Sequence, residues 1–160
     1  MLEESIRLEV VERFCLTRRG FVLGLCSHAL LADQVVAART RFPGAELDLT
    51  MGSDKVVQLL DPKWYPNRAR DAVLDALFVG ARILYAARQG EEEVVRETLQ
   101  RKENERWAGR IDRLDQVPPE VAAISSRSVR RRFRRGEEIS HLVPPEVQRL
   151  LAHLDRYGGT

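Results

Sequence analysis

The chain has 160 residues, of which 44% are hydrophobic and 31% charged, and its net charge at pH 7 is +2. This length and composition predict one soluble globular domain, over residues 1–160, that is large enough for a real core. The small net charge gives no reason to expect nucleic acid or an anionic membrane as a partner of the whole chain.

Three further classes of protein are not expected. No apolar stretch approaches the length that crosses a bilayer, and Met1 is followed by Leu2-Glu3-Glu4 rather than by the basic start of a secretory signal. Cys15 and Cys26 are too few for a disulfide framework or a structural zinc site. We therefore predict a cytoplasmic location and reduced thiols.

The first quarter of the chain predicts a helix, a strand and a helix. The opening helix ends near residues 17–20, and its apolar positions recur every fourth residue: Leu2, Ile6, Val10 and Phe14. Phe21–Cys26 is short and continuously apolar, as expected of a strand buried on both faces. A helix over residues 31–42 follows and ends before Pro43-Gly44.

Strands and helices continue to alternate. Trp64 lies in a loop bounded by Asp61-Pro62 and Pro66-Asn67. This alternation predicts an α/β fold, a Rossmann-like parallel sheet with helices on both faces. The predicted strands cover residues 45–50, 83–87 and 111–114. A short helix is predicted to follow residues 51–55 and to end at residue 60, and further helices cover residues 70–78, 91–106 and 147–154.

Residues 124–135 predict a further helix that begins at serines and carries an arginine run. Its first backbone N–H groups have no partner within the helix, so together with the helix dipole they favour an anion. An ordinary cap with a solvated arginine face explains this helix equally well. At about 100° per residue, the side opposite Val129 and Phe133 carries Arg127, Arg130, Arg131 and Arg134.

Other polar residues follow the predicted strands, where parallel sheets bind their ligands. After one strand, Gly52 lets a ligand approach the backbone, and Asp54 can accept hydrogen bonds from ribose hydroxyls. Trp64 can stack on an aromatic ring, and Arg88 can hold a phosphate. Taken singly, a turn, core packing and a surface ion pair explain these residues too. Together they would suit a nucleotide.

The order of these motifs resembles the nicotinamide/nicotinate mononucleotide adenylyltransferases, nucleotidyltransferases of Rossmann-like fold. The motifs in question are Gly52-Ser53-Asp54-Lys55 with Trp64, then Arg88, then Ile124-Ser125-Ser126-x-x-x-Arg130, and then Leu142-Val143-Pro144.

The resemblance implies a reaction of ATP with a pyridine mononucleotide, which gives NAD or deamido-NAD and pyrophosphate, with Mg²⁺ as cofactor. It implies that Trp64 stacks on the pyridine ring. It also implies an ATP and dinucleotide site formed by Gly52, Asp54, Arg88, Ser126, Arg127, Ser128, Val129 and Arg130.

The chain departs from the family in two respects. Arg127 stands where the family has a threonine, and no His-x-Gly-His element is present among the three histidines. Met1-Leu2 resembles an internal stretch of the family, so we expect an N-terminally incomplete fold that lacks the first two strands. No catalytic or metal-ligating residue is therefore assigned, little or no adenylyl transfer is expected, and unpaired strand edges would favour a homo-oligomer.

The main alternative is a binding module without catalysis, which would use the arginine-rich helix at residues 127–135. Because no aromatic platform or recognised nucleic-acid motif accompanies these arginines, nucleic acid ranks below nucleotides as their partner. A nucleotidyltransferase with a different acceptor is a second alternative.

Overall fold

The structure, a computed structural model, describes residues 4–87 and 90–150. The chain divides into two compact units: a terminal unit of residues 1–25 and 124–160, and a central unit of residues 26–123. Within the described ranges, no helix is both long and apolar enough to cross a bilayer. The single-domain organisation stays a prediction.

The helices and strands follow one another much as the sequence predicts. A 3-10 helix, Pro62–Trp64, follows the third α-helix, and residues 145–150 are helical. In chain order, the elements are α1 (Glu4–Leu16), α2 (Leu31–Arg41), β1 (Leu47–Gly52), α3 (Ser53–Leu60), α4 (Arg70–Phe78), β2 (Ala81–Ala86), α5 (Glu92–Gln100), α6 (Glu105–Ala108), β3 (Ile111–Arg113), α7 (Pro119–Ala122) and α8 (Ser126–Arg134).

The central unit contains a three-stranded parallel sheet in the order β1-β2-β3. Leu49 pairs with Ile83, which pairs in turn with Ile111. Helix α3 packs on β1, β2 and α5, while α4 packs on β2 and α2. The predicted class of fold is confirmed: a parallel sheet flanked by helices, consistent with a Rossmann-like α/β fold.

The buried side chains of the strands lie on one face of this sheet. Alternate residues of β2, namely Ala81, Ile83 and Tyr85, are buried among the apolar side chains of the helices. On the other face, Asp48 lies opposite Arg82, whose guanidinium donates two hydrogen bonds to the carboxylate, at 2.9 and 2.8 Å. The strands therefore alternate, with period two, between core and solvent.

The predicted strand at Phe21–Cys26 is wrong. These residues have no regular secondary structure, and Phe21, Val22 and Leu25 are exposed. An extended segment becomes part of a sheet only when a neighbouring strand pairs with its backbone groups, and no such strand is present among the described residues. The composition of the segment indicated a strand but could not show whether a neighbour exists.

The single polar helix predicted over residues 91–106 is also wrong, because the helix is broken between α5 and α6. Asn104, which lies at the break, is buried, and its side-chain amide donates to the carbonyl of Thr98 at 2.8 Å and accepts from the guanidinium of Arg70. In α5, Val95 is buried, whereas Val94 is exposed. The spacing of apolar residues along the sequence cannot reveal a polar side chain that is buried in its own hydrogen-bond network.

In the terminal unit, the amphipathic character predicted for α8 is confirmed. Val129 is buried and Phe133 partly buried, whereas the arginines are exposed. The apolar cluster that holds this face of α8 consists of Ile124, Ile139, Leu142, Val143 and Val147.

Glu146 anchors the last described helical residues to the end of α1 in the terminal unit. Its buried carboxylate accepts hydrogen bonds from the hydroxyl of Thr17 at 3.1 Å and from the guanidinium of Arg18 at 3.2 and 3.4 Å. A hydrogen bond from its own backbone N–H, followed by the one from Arg18, lowers the pKa of Glu146 below its ordinary value.

Glu146→Gln is expected to reduce the acid sensitivity of the fold. A carboxyl group with a depressed pKa in the folded chain stabilises it above the ordinary value of about 4.5, and this contribution is lost as the pH falls through the folded pKa. The variant should unfold more easily than wild type at pH 7, and its stability should fall less between pH 5 and pH 3. Urea denaturation at each pH measures this, and identical acid profiles would contradict it.

Candidate functional site

The junction between β1 and α3 lies at the carboxyl end of the sheet. Gly52 ends β1 and pairs with Ala86, the last residue of β2, so the ends of two parallel strands are adjacent there. Ser53 begins α3 and is fully buried, and its hydroxyl donates a hydrogen bond to the carboxylate of Glu91. Parallel sheets bind ligands at such strand ends, next to helix N-termini.

Glu91 is a site residue that the sequence analysis missed. It immediately precedes α5, so its contact with Ser53 connects the starts of two helices that follow neighbouring strands. Three consecutive glutamates occupy positions 91–93. The sequence does not distinguish Glu91 from the two glutamates that follow it, because its contact with Ser53 arises from the pairing of β1 with β2.

Asp54 is exposed in the first turn of α3. A carboxylate there interacts favourably with the positive end of the helix dipole, which explains the residue without any ligand. The same position, directly after Gly52, makes its oxygens acceptors for hydroxyl groups at the strand end. The two roles are compatible.

Trp64 ends the 3-10 helix that follows α3, and its side chain is 50% exposed. The ammonium group of Lys63 lies 5.8 Å from the centre of its ring. The other tryptophan, Trp107, is 3% exposed in the core. Of the two, only Trp64 has a ring surface available for stacking.

Two further polar residues, Arg88 and His28, have no described contact with this junction. Arg88 follows the end of β2 but lies outside the described residues. His28, which matches no catalytic histidine of the family, has its Nδ1 atom 3.4 Å from the sulfur of Cys26, and its backbone carbonyl accepts a hydrogen bond from Gln34 at 2.8 Å. These are local contacts within the exposed segment before α2.

The start of α8 is a capping box, which confirms the predicted serine cap. The Ser125 hydroxyl accepts a hydrogen bond from the backbone N–H of Ser128 at 3.1 Å, and the Ser128 hydroxyl accepts one from the N–H of Ser125 at 3.1 Å. Val129 is buried, and its N–H donates to the Ser125 carbonyl at 3.0 Å. For an anion, this helix start can still offer the N–H groups of Ser126 and Arg127, which cannot bond within the helix.

Four exposed arginines form what we call the arginine face of α8: Arg127, Arg130, Arg131 and Arg134. None of them lies within 4.0 Å of a carboxylate among the described residues. By contrast, Arg132 and Arg135 contact Glu137 at 4.0 and 3.8 Å. Together with Arg135, the arginine face lines an open hollow of about 590 Å³.

The structure thus assembles the predicted residues in two groups. Gly52 and Asp54 share the β1–α3 junction of the central unit. Trp64 belongs to the same unit, whereas residues 126–130 begin α8 in the terminal unit. The described part of the chain contains no group of three His, Cys, Asp or Glu residues that could hold a metal ion.

Comparison with models of known protein families finds no match for this sequence. Comparison with curated proteins finds no match either. The resemblance to the adenylyltransferases therefore stays a prediction from the sequence motifs alone.

Proposed function

We propose that this chain binds ATP and a nicotinate or nicotinamide mononucleotide, the substrates of the adenylyltransferases that make deamido-NAD and NAD. The observation that carries the proposal is the β1–α3 junction. There, Gly52 and Asp54 follow a strand of a parallel sheet, next to the end of a second strand and at the start of a helix. Ligands of parallel α/β sheets, nucleotides among them, bind beyond the carboxyl ends of the strands.

Each part of a dinucleotide has a matching group in the chain. Asp54 can accept hydrogen bonds from ribose hydroxyls, and the exposed ring of Trp64 can stack on the pyridine. In the terminal unit, taken by itself, the start of α8 offers the cationic and N–H donors that phosphates need, with Arg127 and Arg130 among them.

Mg²⁺ fits this site as a companion of the nucleotide. It is commonly bound by substrate phosphates with one or two carboxylates and several waters, and Asp54 and Glu91 are carboxylates of that kind near the β1–α3 junction. When bound, the ion would neutralise charge on the triphosphate. The chain's own contribution would then be to orient the nucleotides.

The reaction class is attack of a mononucleotide phosphate on the α-phosphorus of ATP, with pyrophosphate as the leaving group. Such transfers depend mainly on positioning and charge neutralisation. The arginines can supply part of this, but the sequence has no His-x-Gly-His element to stabilise the phosphates. Binding is therefore the property proposed for this chain, with little or no transfer.

Tryptophan fluorescence tests the proposal, because the chain has two tryptophans of very different exposure. We expect nicotinate mononucleotide or nicotinamide mononucleotide to quench the emission saturably in the wild type. Trp64→Leu should abolish the saturable quenching and weaken binding about 2- to 10-fold, which corresponds to a typical aromatic stacking contact. Uridine monophosphate is the control ligand, since it offers a phosphate and a ribose without a pyridine ring.

Two results would contradict the proposal. One is quenching that rises linearly with nucleotide without saturating. The other is saturable quenching that persists unchanged in Trp64→Leu, because the buried Trp107 would then be the responding residue.

A further inference from the structure

The arginine face extends over the whole length of α8, well beyond the helix start at which a nucleotide triphosphate is proposed to bind. From Arg127 to Arg134 the helix rises about 10 Å. Arg134 is the last helical residue. Along one strand of a duplex, phosphates are spaced about 3.4 Å apart along the axis, so this length covers about three spacings and therefore about four consecutive phosphates.

The charges on this face are not neutralised within the part of the chain that the structure describes. Helix α8 has no acidic residue in its first turn, and the nearby Glu137 contacts Arg132 and Arg135 instead. A row of guanidinium groups without carboxylates is suited to bidentate contacts with an extended polyanion.

We propose that the arginine face of α8 binds the sugar-phosphate backbone of a nucleic acid without sequence preference. The face is made of arginine side chains alone. Contacts to phosphate position a protein on a duplex but carry no sequence information directly. This inference goes beyond the proposed nucleotide site and does not depend on it.

An anionic membrane, the other extended anionic surface, fits the helix less well. A helix that lies in a membrane interface inserts its apolar side among the lipids. In α8 that side is already engaged, because Val129 is buried and Phe133 packs against the apolar cluster of the terminal unit. Among the described residues, the cationic side is the one that is left uncovered for a partner.

Fluorescence anisotropy of a labelled 16-base-pair duplex, measured with the whole chain between 50 and 200 mM KCl, tests the inference. Four phosphate contacts predict a slope of about −3.6 in log affinity against log salt, or a loss of affinity of roughly 150-fold over this range. The double variant Arg131→Ala with Arg134→Ala should have a slope of about −1.8 and lose only about 12-fold.

Arg132→Ala is the matched control. It removes one charge from the same helix, but Arg132 lies about 100° or more around the helix from all four arginines of the face and contacts Glu137. The slope of this variant should equal that of the wild type. Circular dichroism should show that the variants keep the helical content of the wild type.

Three outcomes would overturn the inference. They are the absence of duplex binding at 50 mM KCl, an unchanged slope in the double variant, and an equal change of slope in Arg132→Ala. Because Arg131 and Arg134 are not part of the proposed nucleotide site, the tryptophan quenching of the double variant reports on that site separately.

Discussion

Arg130→Ala is expected to lower the affinity of the chain for ATP by roughly 10- to 150-fold, since a hydrogen bond to a charged group contributes about 1.5–3 kcal/mol. Arg130 is exposed on the first turns of α8, one turn after Ser126, and no carboxylate among the described residues competes for it. Its guanidinium can therefore reach a phosphate held at the helix start. Isothermal titration with ATP and Mg²⁺ measures the change.

Arg132→Ala again provides the control for this experiment. It should leave the affinity for ATP close to that of the wild type, because Arg132 contacts Glu137 and lies off the arginine face. Equal affinities for Arg130→Ala and the wild type would remove Arg130 from the proposed site. Equal losses in both variants would indicate a general effect of net charge rather than a specific phosphate contact.

Leu74→Ala is expected to destabilise the protein by about 2–5 kcal/mol, the usual range for truncating a buried leucine. Leu74 is fully buried, and α4, which carries it, packs on both β2 and α2. The substitution removes apolar contacts and leaves a cavity that a close-packed core fills only in part. Urea denaturation followed by circular dichroism gives the free energy of unfolding.

Val79→Ala is the control for the core substitution. Val79 follows α4 directly and is 70% exposed, so its truncation should change the free energy of unfolding by no more than about 0.5 kcal/mol. A similar loss in the two variants would mean that Leu74 is not part of the cooperative core.

Much of the fold could be predicted from the sequence because local signals agree with the final structure. Helix α4 occupies the predicted residues, 70–78, and ends just before Gly80. The cap of α8 was readable because Ser125 precedes an amphipathic pattern whose apolar members are buried as predicted. These features depend on neighbours within one or two turns.

The errors arise where a residue depends on distant partners. Phe21–Cys26 has the composition of a strand, but only another strand could have made it one. The helix predicted over residues 91–106 is broken, and its last part, α6, is a single turn that is too short to show a period. Asn104 is held by Arg70, which is far away in the sequence.

The candidate site shows the same limit. Gly52 and Asp54 could be named because they directly follow a recognisable strand. Glu91 could not, because its contact with Ser53 depends on β1 and β2 being neighbours in the sheet. The exposure of Trp64, which makes it useful for stacking, also could not be distinguished in advance from the burial of Trp107.

Salt is expected to have opposite effects on the stability of α8 and on its binding of a polyanion, because of how the arginines are spaced. Arg127 and Arg131, like Arg130 and Arg134, are four residues apart, and like charges at this spacing destabilise a helix by about 0.2–0.5 kcal/mol per pair. Added salt screens this repulsion and so strengthens α8. The same salt weakens the hold of α8 on any bound polyanion, so the helix is most stable under the conditions in which it binds least.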